Sequence, residues 1–251
     1  MIIKAINTRK FIPPKDDLWE LLSAIKSLKE NSVVAVTSKV VSIGEGRCIP
    51  ISQADKDDLV KQEADKYLPR QFVPEELVMY TLKNNMLIAS AGIDESNGKG
   101  YYILWPKDPN ISAKKIWQFL INKFKLKNLG IIITDSRLIP LRGGVVGYSI
   151  GYFGFKPIKS YIGKLDLFGR EFKMETSNIP DSLASAAVLE MGEGKESQPI
   201  VIISDIPDIK FINKKYIDTG DNSFEIEEKK DVFYPFLSSV KWVKGGSGKN
   251  R

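Results

Sequence analysis

The segments S-A-K-K-I-W-Q-F-L-I-N-K-F (112–124) and G-I-I-I-T-D (130–135) decide the fold class, because they change hydrophobic period within a short span. In the first, Ala113, Ile116, Trp117, Leu120, Ile121 and Phe124 recur at three- and four-residue steps, the spacing of one helix face, and Ser112 stands where an N-cap belongs. The second is an aliphatic run too short for a helix. It reads as a central buried strand with Asp135 at its carboxyl end. Towards the N-terminus, V-V-A-V-T-S-K-V-V (33–41) is rich in β-branched residues and reads as another buried strand, closed by the turn Gly44-Glu45-Gly46. Asp55 to Lys66 and Pro74 to Lys83 carry apolar residues at helical steps. Met86 to Ala91 and Tyr101 to Trp105 read as strands around a loop from Gly92 to Gly100. Gly143, Gly147 and Gly151 recur every four residues, which on a strand places all of them on one face, open to a backbone or ligand.

Towards the C-terminus, Asn178 and Pro180 open a helix through Leu183 to Met191 that stops at Gly192. Pro199 to Ser204 is a strand, Glu225 to Lys230 begins a last helix that Pro235 interrupts or ends, and Lys244 to Arg251 reads as a mobile tail. Strands and helices mixed without strict alternation predict an α+β fold, mixed sheets with flanking helices, in one domain over 1–243 with a tail over 244–251.

The chain has 251 residues, 43% hydrophobic and 27% charged, enough to bury a core without a disulfide or metal staple. It contains no His and one Cys, Cys48. Ser/His/Asp and Cys/His catalysis, imidazole acid–base chemistry and the usual zinc sites are thereby excluded, and any metal must be held by oxygen. A lone thiol after Arg47 reads as a buried structural cysteine in a reducing, cytoplasmic setting, and the N-terminus lacks the pattern of a signal peptide. The weakly polar stretch Gly143 to Phe155 is too short to span a bilayer. Net charge is +6, but 37 basic residues are offset by 31 acidic ones, so the electrostatic case for nucleic acid is weak and a phosphorylated small molecule is equally suited.

Asp94 in S-A-G-I-D-E-S-N-G, Asp135 in I-I-I-T-D-S and Glu193 in E-M-G-E-G stand at element ends among small residues. They suit a hard divalent ion with phosphate oxygens; equally, Asp94 and Asn97 suit Asx-turns, Asp135 a cap and Glu193 a solvated helix end. The turns Gly44–Gly46, Gly98–Gly100 and Gly192–Gly194 could offer N–H groups to phosphate, yet none fits a Walker or Rossmann pattern. Arg142, Lys107 and Arg170 lie in turns, as anion contacts or as solvated cations. Tyr148, Tyr152 and Phe153 suit a stacking surface or the core.

Taken in order, V-T-S-K-V-V-S-I-G-E-G-R (36–47), S-A-G-I-D-E-S-N (90–97), L-W-P-K-D-P-N-I-S-A (104–113), I-I-I-T-D-S (131–136), R-G-G-V-V-G-Y-S-I-G-Y-F-G (142–154), Y-I-G-K-L-D-L-F-G-R (161–170) and L-A-S-A-A-V-L-E-M-G-E-G (183–194) resemble the coenzyme F420-0:gamma-glutamyl ligase family. The resemblance implies a two-subdomain α+β fold, an intertwined homodimer, GTP as co-substrate, Mg²⁺ or Mn²⁺, room for a monovalent cation, and amide formation between L-glutamate and a carboxylate. It implies Asp94, Asp135, Ser136 and Glu193 as metal ligands, with Ser136 standing where the family usually has Thr. Asn97, Ser38 and Lys39 would contact the nucleotide, which the segment Met191, Gly192, Glu193, Gly194, Lys195, Glu196, Ser197 and Gln198 would wrap. Arg142 would meet phosphate or the acceptor carboxylate.

The departures fall on the acceptor side. Ile43 stands where the family usually has Lys, the segment T-D-S-R-L-I-P-L-R (134–142) replaces T-D-T-x-G-R-x-x-R with Leu138 and Ile139 in place of Gly-Arg, and Asp205-Ile206 replaces Arg-Gly. They leave two other expectations standing: a non-catalytic nucleotide- or metabolite-binding member of the family, and a basic RNA-associated protein, which would need a contiguous cationic face.

Overall fold

The structure, a computed structural model, describes residues 1–213 and 224–248. In chain order its elements are β1 (Ile2–Ile6), α1 (Leu18–Leu22), β2 (Ser32–Thr37), α2 (Ser38–Glu45), β3 (Cys48–Pro50), α3 (Lys56–Glu63), β4 (Lys66–Leu68), β5 (Tyr80–Lys83), β6 (Met86–Ala89), β7 (Tyr101–Ile103), α4 (Pro109–Phe124), β8 (Leu129–Leu138), β9 (Val145–Phe153), β10 (Ile158–Ser160), β11 (Thr176–Asn178), α5 (Ile179–Met191), β12 (Ile200–Ser204), α6 (Tyr234–Leu237) and β13 (Val243–Lys244). The class is α+β with mixed sheets, as expected.

The main sheet has the order β1-β12-β2-β8-β9, and within it only β2 and β8 are parallel. Both of its faces are covered, which is why its central strands read as continuous aliphatic runs. Val34, Val36, Ile131 and Ile133 pack with Ile116 and Leu120 of α4. Val33, Ala35 and Ile132 pack on the other face with Leu183, Ala184 and Ala187 of α5. A second sheet, β13-β4-β5-β6, and the ribbon β3-β7 adjoin a separate cluster built on Leu59, Val60, Met79, Ile93 and Leu104. No helix among the described residues is long and apolar enough to cross a membrane.

Several local expectations are corrected. The run 33–41 is not one strand: β2 ends at Thr37 and Ser38 to Val41 are helical, because Val40 and Val41 pack into the α4-side core from a helix. The glycines after it do not form a free turn; Gly44 sits inside α2, close against Leu18, and Gly46 closes the helix in the left-handed conformation. Pro74 to Lys83 is a short 3-10 turn followed by β5, whose alternating burial is a strand's. β6 likewise ends at Ala89 and passes into a 3-10 turn over Ser90–Gly92. α4 is capped by Asp108, which accepts from the Ile111 N–H at 2.9 Å, with Pro109 in its first turn; Ser112 lies one turn further in. Pro235 sits within the first turn of α6 rather than ending a helix, and Glu228–Lys230 is a 3-10 turn. Gly245 to Gly248 donate backbone hydrogen bonds to Asp65, Lys61, Ala64 and Gln62 at the end of α3, so the tail expected from Lys244 is docked that far, and 249–251 lie outside the described residues.

The glycine repeat is also corrected. Gly143 precedes β9, and a bulge at Ile150, between the pairs Ile133–Gly151 and Thr134–Ser149, turns the strand over. Gly147 therefore faces α5 while Gly151 faces α4: an added Cβ would stand 2.5 Å from Val188 Cβ at the first and 2.6 Å from Pro109 Cβ at the second. Gly147→Ala is expected to cost about 1–3 kcal/mol through forced separation of β9 and α5. Urea unfolding would check this, and a midpoint equal to that of the parent would refute the close approach.

Candidate active site

The carboxyl ends of the parallel strands β2 and β8, where Thr37 stands opposite Thr134, open into a cleft of about 920 Å³. Such strand ends are where open sheets receive ligands. Its walls come from the loop after β1 (Thr8 to Pro13), the start of α2, the segment Ser90–Lys99, Trp105, the end of β8, and the loop after α5.

Ser38 and Lys39 reach the cleft because β2 passes directly into α2, and Ser38 is buried there. Lys39 Nζ pairs with Asp94 Oδ2 at 2.7 Å and donates to the Ser96 carbonyl at 2.8 Å. The Ser96 N–H donates to Asp94 Oδ1 at 2.7 Å, the Asx-turn that the sequence equally allowed. Burial opposes charge on Asp94, but the Lys39 ammonium and the Ser96 hydrogen bonds outweigh it and hold this carboxyl below the ordinary range.

Asp135 does not end its strand; β8 runs on to Leu138, and Asp135 is half-buried within it. Its Oδ2 accepts the Trp105 indole N–H and its Oδ1 accepts the Ser136 N–H at 2.9 Å. Burial pushes this carboxyl up to about 6; those hydrogen bonds oppose the shift, and the charge of Asp94 across the cleft adds to it. Ser136 projects from the other face of the strand, and its hydroxyl donates to Glu193 Oε1 at 2.6 Å.

Asn97, held at φ 54°, donates from Nδ2 to the Gly194 carbonyl at 3.1 Å and so ties the Ser90–Lys99 segment to the loop after α5. Within that loop Glu196 Oε2 accepts the Gly194 N–H at 2.8 Å, an acid where a phosphate oxygen would be equally suited. Gly192 must be glycine: φ is 77°, and an added Cβ would stand 2.5 Å from Glu196 Cδ. Met191 is buried, Ser197 accepts the Thr8 N–H at 2.9 Å through its carbonyl, and Lys195 and Gln198 complete the wall.

The structure thus brings Ser38, Lys39, Asp94, Asn97, Asp135, Ser136 and the whole segment Met191 to Gln198 to one cleft. Arg142 is not among the residues around it; it lies exposed in the turn between β8 and β9. Arg137 is there instead, stacked 4.9 Å from the Tyr148 ring and 3.8 Å from Asp181. Tyr148 and Phe153 are core residues, not a stacking surface. Lys10, Lys99 and Lys195 also border the cleft, with no salt-bridge partner among the described residues. Trp105 went unrecognised because an aromatic closing the apolar run Tyr101 to Trp105 reads as core, and Arg137 because a basic residue on an exposed strand end carries no periodic signal.

The donor set offered to a metal is all oxygen, as a hard divalent cation requires. Each carboxylate is answered by the protein itself, Asp94 by Lys39, Asp135 by Trp105 and Glu193 by Ser136. Among the described residues no three His, Cys, Asp or Glu side chains stand together closely enough to hold an ion. The carboxylates share a cleft rather than a finished cage, and an ion would have to draw them from these partners.

A family model described as F420-0:gamma-glutamyl ligase matches residues 7–205. The coenzyme F420:L-glutamate ligase of Methanopyrus kandleri is 34% identical over 215 residues, covering 80% of this chain and 85% of that protein. The ligase of the same name from Archaeoglobus fulgidus is 34% identical over 202 residues, 75% and 81% of the respective chains. That of Methanocaldococcus jannaschii is 43% identical over 132 residues, 52% of each.

Proposed function

Because the chain belongs to the F420-0:gamma-glutamyl ligase family, we propose that it is a GTP- and divalent-metal-dependent amide ligase that adds L-glutamate, or a similar amino acid, to a carboxylate-bearing acceptor. The observation that carries this reading is the convergence of Asp94, Asp135 and Glu193, from distant segments, on one cleft bordered by Lys39, Asn97 and the loop Met191 to Gln198.

A carboxylate is a poor acyl donor because its leaving group would be oxide. One oxygen of the acceptor carboxylate therefore bonds to the γ-phosphorus as the bond to the GDP oxygen breaks, giving an acyl phosphate. The glutamate nitrogen then bonds to the acyl carbon as phosphate departs, and the nitrogen sheds its proton to solvent. Such chemistry is mostly positioning and charge neutralisation and needs no imidazole, which suits a chain without His. Asp94, Asp135, Ser136 and Glu193 would hold Mg²⁺ or Mn²⁺, which when bound neutralises charge on the phosphate oxygens. Asn97 and the glycine-containing loop would hold the nucleoside side, and Lys10, Lys99 and Lys195 would meet phosphate charge. On the acceptor side Ile43, Leu138 and Val145 line the cleft, which favours an acceptor with an apolar body. A homodimer in a reducing cytoplasm completes the proposal; Cys48 is buried and its thiol is pushed up to about 11 by that burial, so it is unreactive.

Incubation with GTP, Mn²⁺, L-glutamate and a panel of carboxylic acids is expected to release phosphate in step with amide product, and to release none when EDTA is added or the acid is omitted. Tight GTP binding without phosphate release for any acid would overturn the ligase reading and leave a nucleotide-binding member of the family.

A further inference from the structure

Behind the cleft lies a buried ion cluster that the proposed reaction does not use. Glu63 of α3 is 2% exposed, and its Oε2 accepts from Arg47 at 2.9 Å and from Lys83 of β5 at 2.8 Å, while its Oε1 has no partner among the described residues. Ion clusters of this kind are costly, and well-packed apolar residues of similar volume often serve stability as well or better. This one grips a single ring. Lys83 Nζ lies 5.4 Å from the centre of the Trp105 ring, and Arg47 Nε donates to the Trp105 carbonyl at 3.1 Å. Against the ring Gly92 leaves no space, since a Cβ there would stand 2.1 Å from the indole nitrogen. The ring is thus held by Gly92 and by the cluster, and its one polar group, the indole N–H, is spent on Asp135 Oδ2.

We propose that Trp105 is a positioning residue, whose indole N–H aims the Asp135 carboxylate into the cleft while the Arg47–Glu63–Lys83 cluster holds the indole in register. The inference rests on the reading of Asp135 as a metal ligand. The torsion that rotates a carboxylate about its terminal bond is soft, and within the strand the Ser136 N–H holds only Oδ1; the indole N–H on Oδ2 is the second donor that fixes the carboxylate's direction. The cluster is supplied by α3, β5 and the link from α2 to β3, which joins the second sheet's surroundings to the ion site on the main sheet.

Trp105→Phe keeps a ring over Lys83 and the carbonyl for Arg47, and removes the N–H. Calorimetry with Mn²⁺ and a non-hydrolysable GTP analogue is expected to show binding weakened about 10–100-fold, while binding of the same analogue in EDTA is unchanged. A ring serving only as filler would not separate those two measurements. Lys83→Met, which leaves Glu63 paired with Arg47, is expected to weaken the Mn²⁺-dependent binding in the same direction by a smaller factor, and circular dichroism would establish that both variants are folded. Asp135→Asn is the control that separates the two ideas. If it loses Mn²⁺-dependent binding while Trp105→Phe binds like the parent, the positioning role is overturned. If Asp135→Asn itself binds Mn²⁺ like the parent, the ligand reading beneath it fails first.

Discussion

Asp135→Asn is expected to weaken Mn²⁺-dependent GTP binding by more than the about 100-fold that loss of a mere outer partner costs, and to leave the melting temperature at or above that of the parent. The two halves of this expectation have one cause. Asp135 is a carboxylate that burial disfavours in its charged form and that sits within reach of the charge of Asp94. Such a group costs the folded state something when no cation is present. Asn keeps one oxygen for the Trp105 indole, so that hydrogen bond survives and the unfavourable charge goes, while its NH2 meets the Ser136 N–H that Oδ1 accepted and gives back part of the gain. What is lost is the negative charge that a divalent ion needs. Asp94→Asn should behave alike in binding, but without the thermal gain, because Asp94 is already compensated by Lys39. Calorimetry and thermal melts on both variants check this; undiminished Mn²⁺ binding in both would remove the site.

The largest stability effect is expected at Glu63. Glu63→Ala leaves Lys83 buried and Arg47 half-buried without a counter-charge, a loss of about 3–5 kcal/mol, or a fall of roughly 10 °C in melting temperature for a chain of this size. Glu63→Ala with Lys83→Met removes both charges and should recover part of that loss. The pH dependence has a defined sign. Burial opposes charge on Glu63, but Lys83 and Arg47 prevail and hold its carboxyl below the ordinary range. An acid with a depressed folded value contributes stability that is fully present above its unfolded value, about 4.3, and is lost as pH falls through the folded one. The parent should therefore lose stability in acid more steeply than Glu63→Ala, and parallel acid limbs in urea titrations would show that the cluster carries no such linkage.

How much of this could be read from residues alone depended on whether a signal was local. The helix over 112–124, the strand at 130–134 and the helix from Asn178 to Met191 follow from side-chain period and capping chemistry; the structure reproduces all three, with α4 starting a turn earlier at Pro109 and β8 running on to Leu138. The boundary inside 33–41 was not legible, because Val40 and Val41 suit a buried helix as well as a buried strand and only the neighbouring α1 and α4 decide between them. The bulge at Ile150 was equally hidden: a repeat of four implies one face only if pairing is unbroken, and the break is a property of the partner strand. Nearly every residue the resemblance named reaches the cleft, and Arg142 is the exception, since a turn residue has no fixed direction until the hairpin around it is built.

By itself, then, the order of residues determined a His-free chemistry, the oxygen-only character of any metal site, the mixed α+β class and the family. Only tertiary structure decided that Asp94, Asp135 and Glu193 line one cleft while each leans on a different partner, and that Trp105 is packed against Gly92 and a buried ion cluster. The physical reason is range. Backbone preference and hydrophobic period act over a few neighbours and are written in the chain, whereas the direction of a side chain and the charge it feels are set by atoms brought close only when distant segments pack.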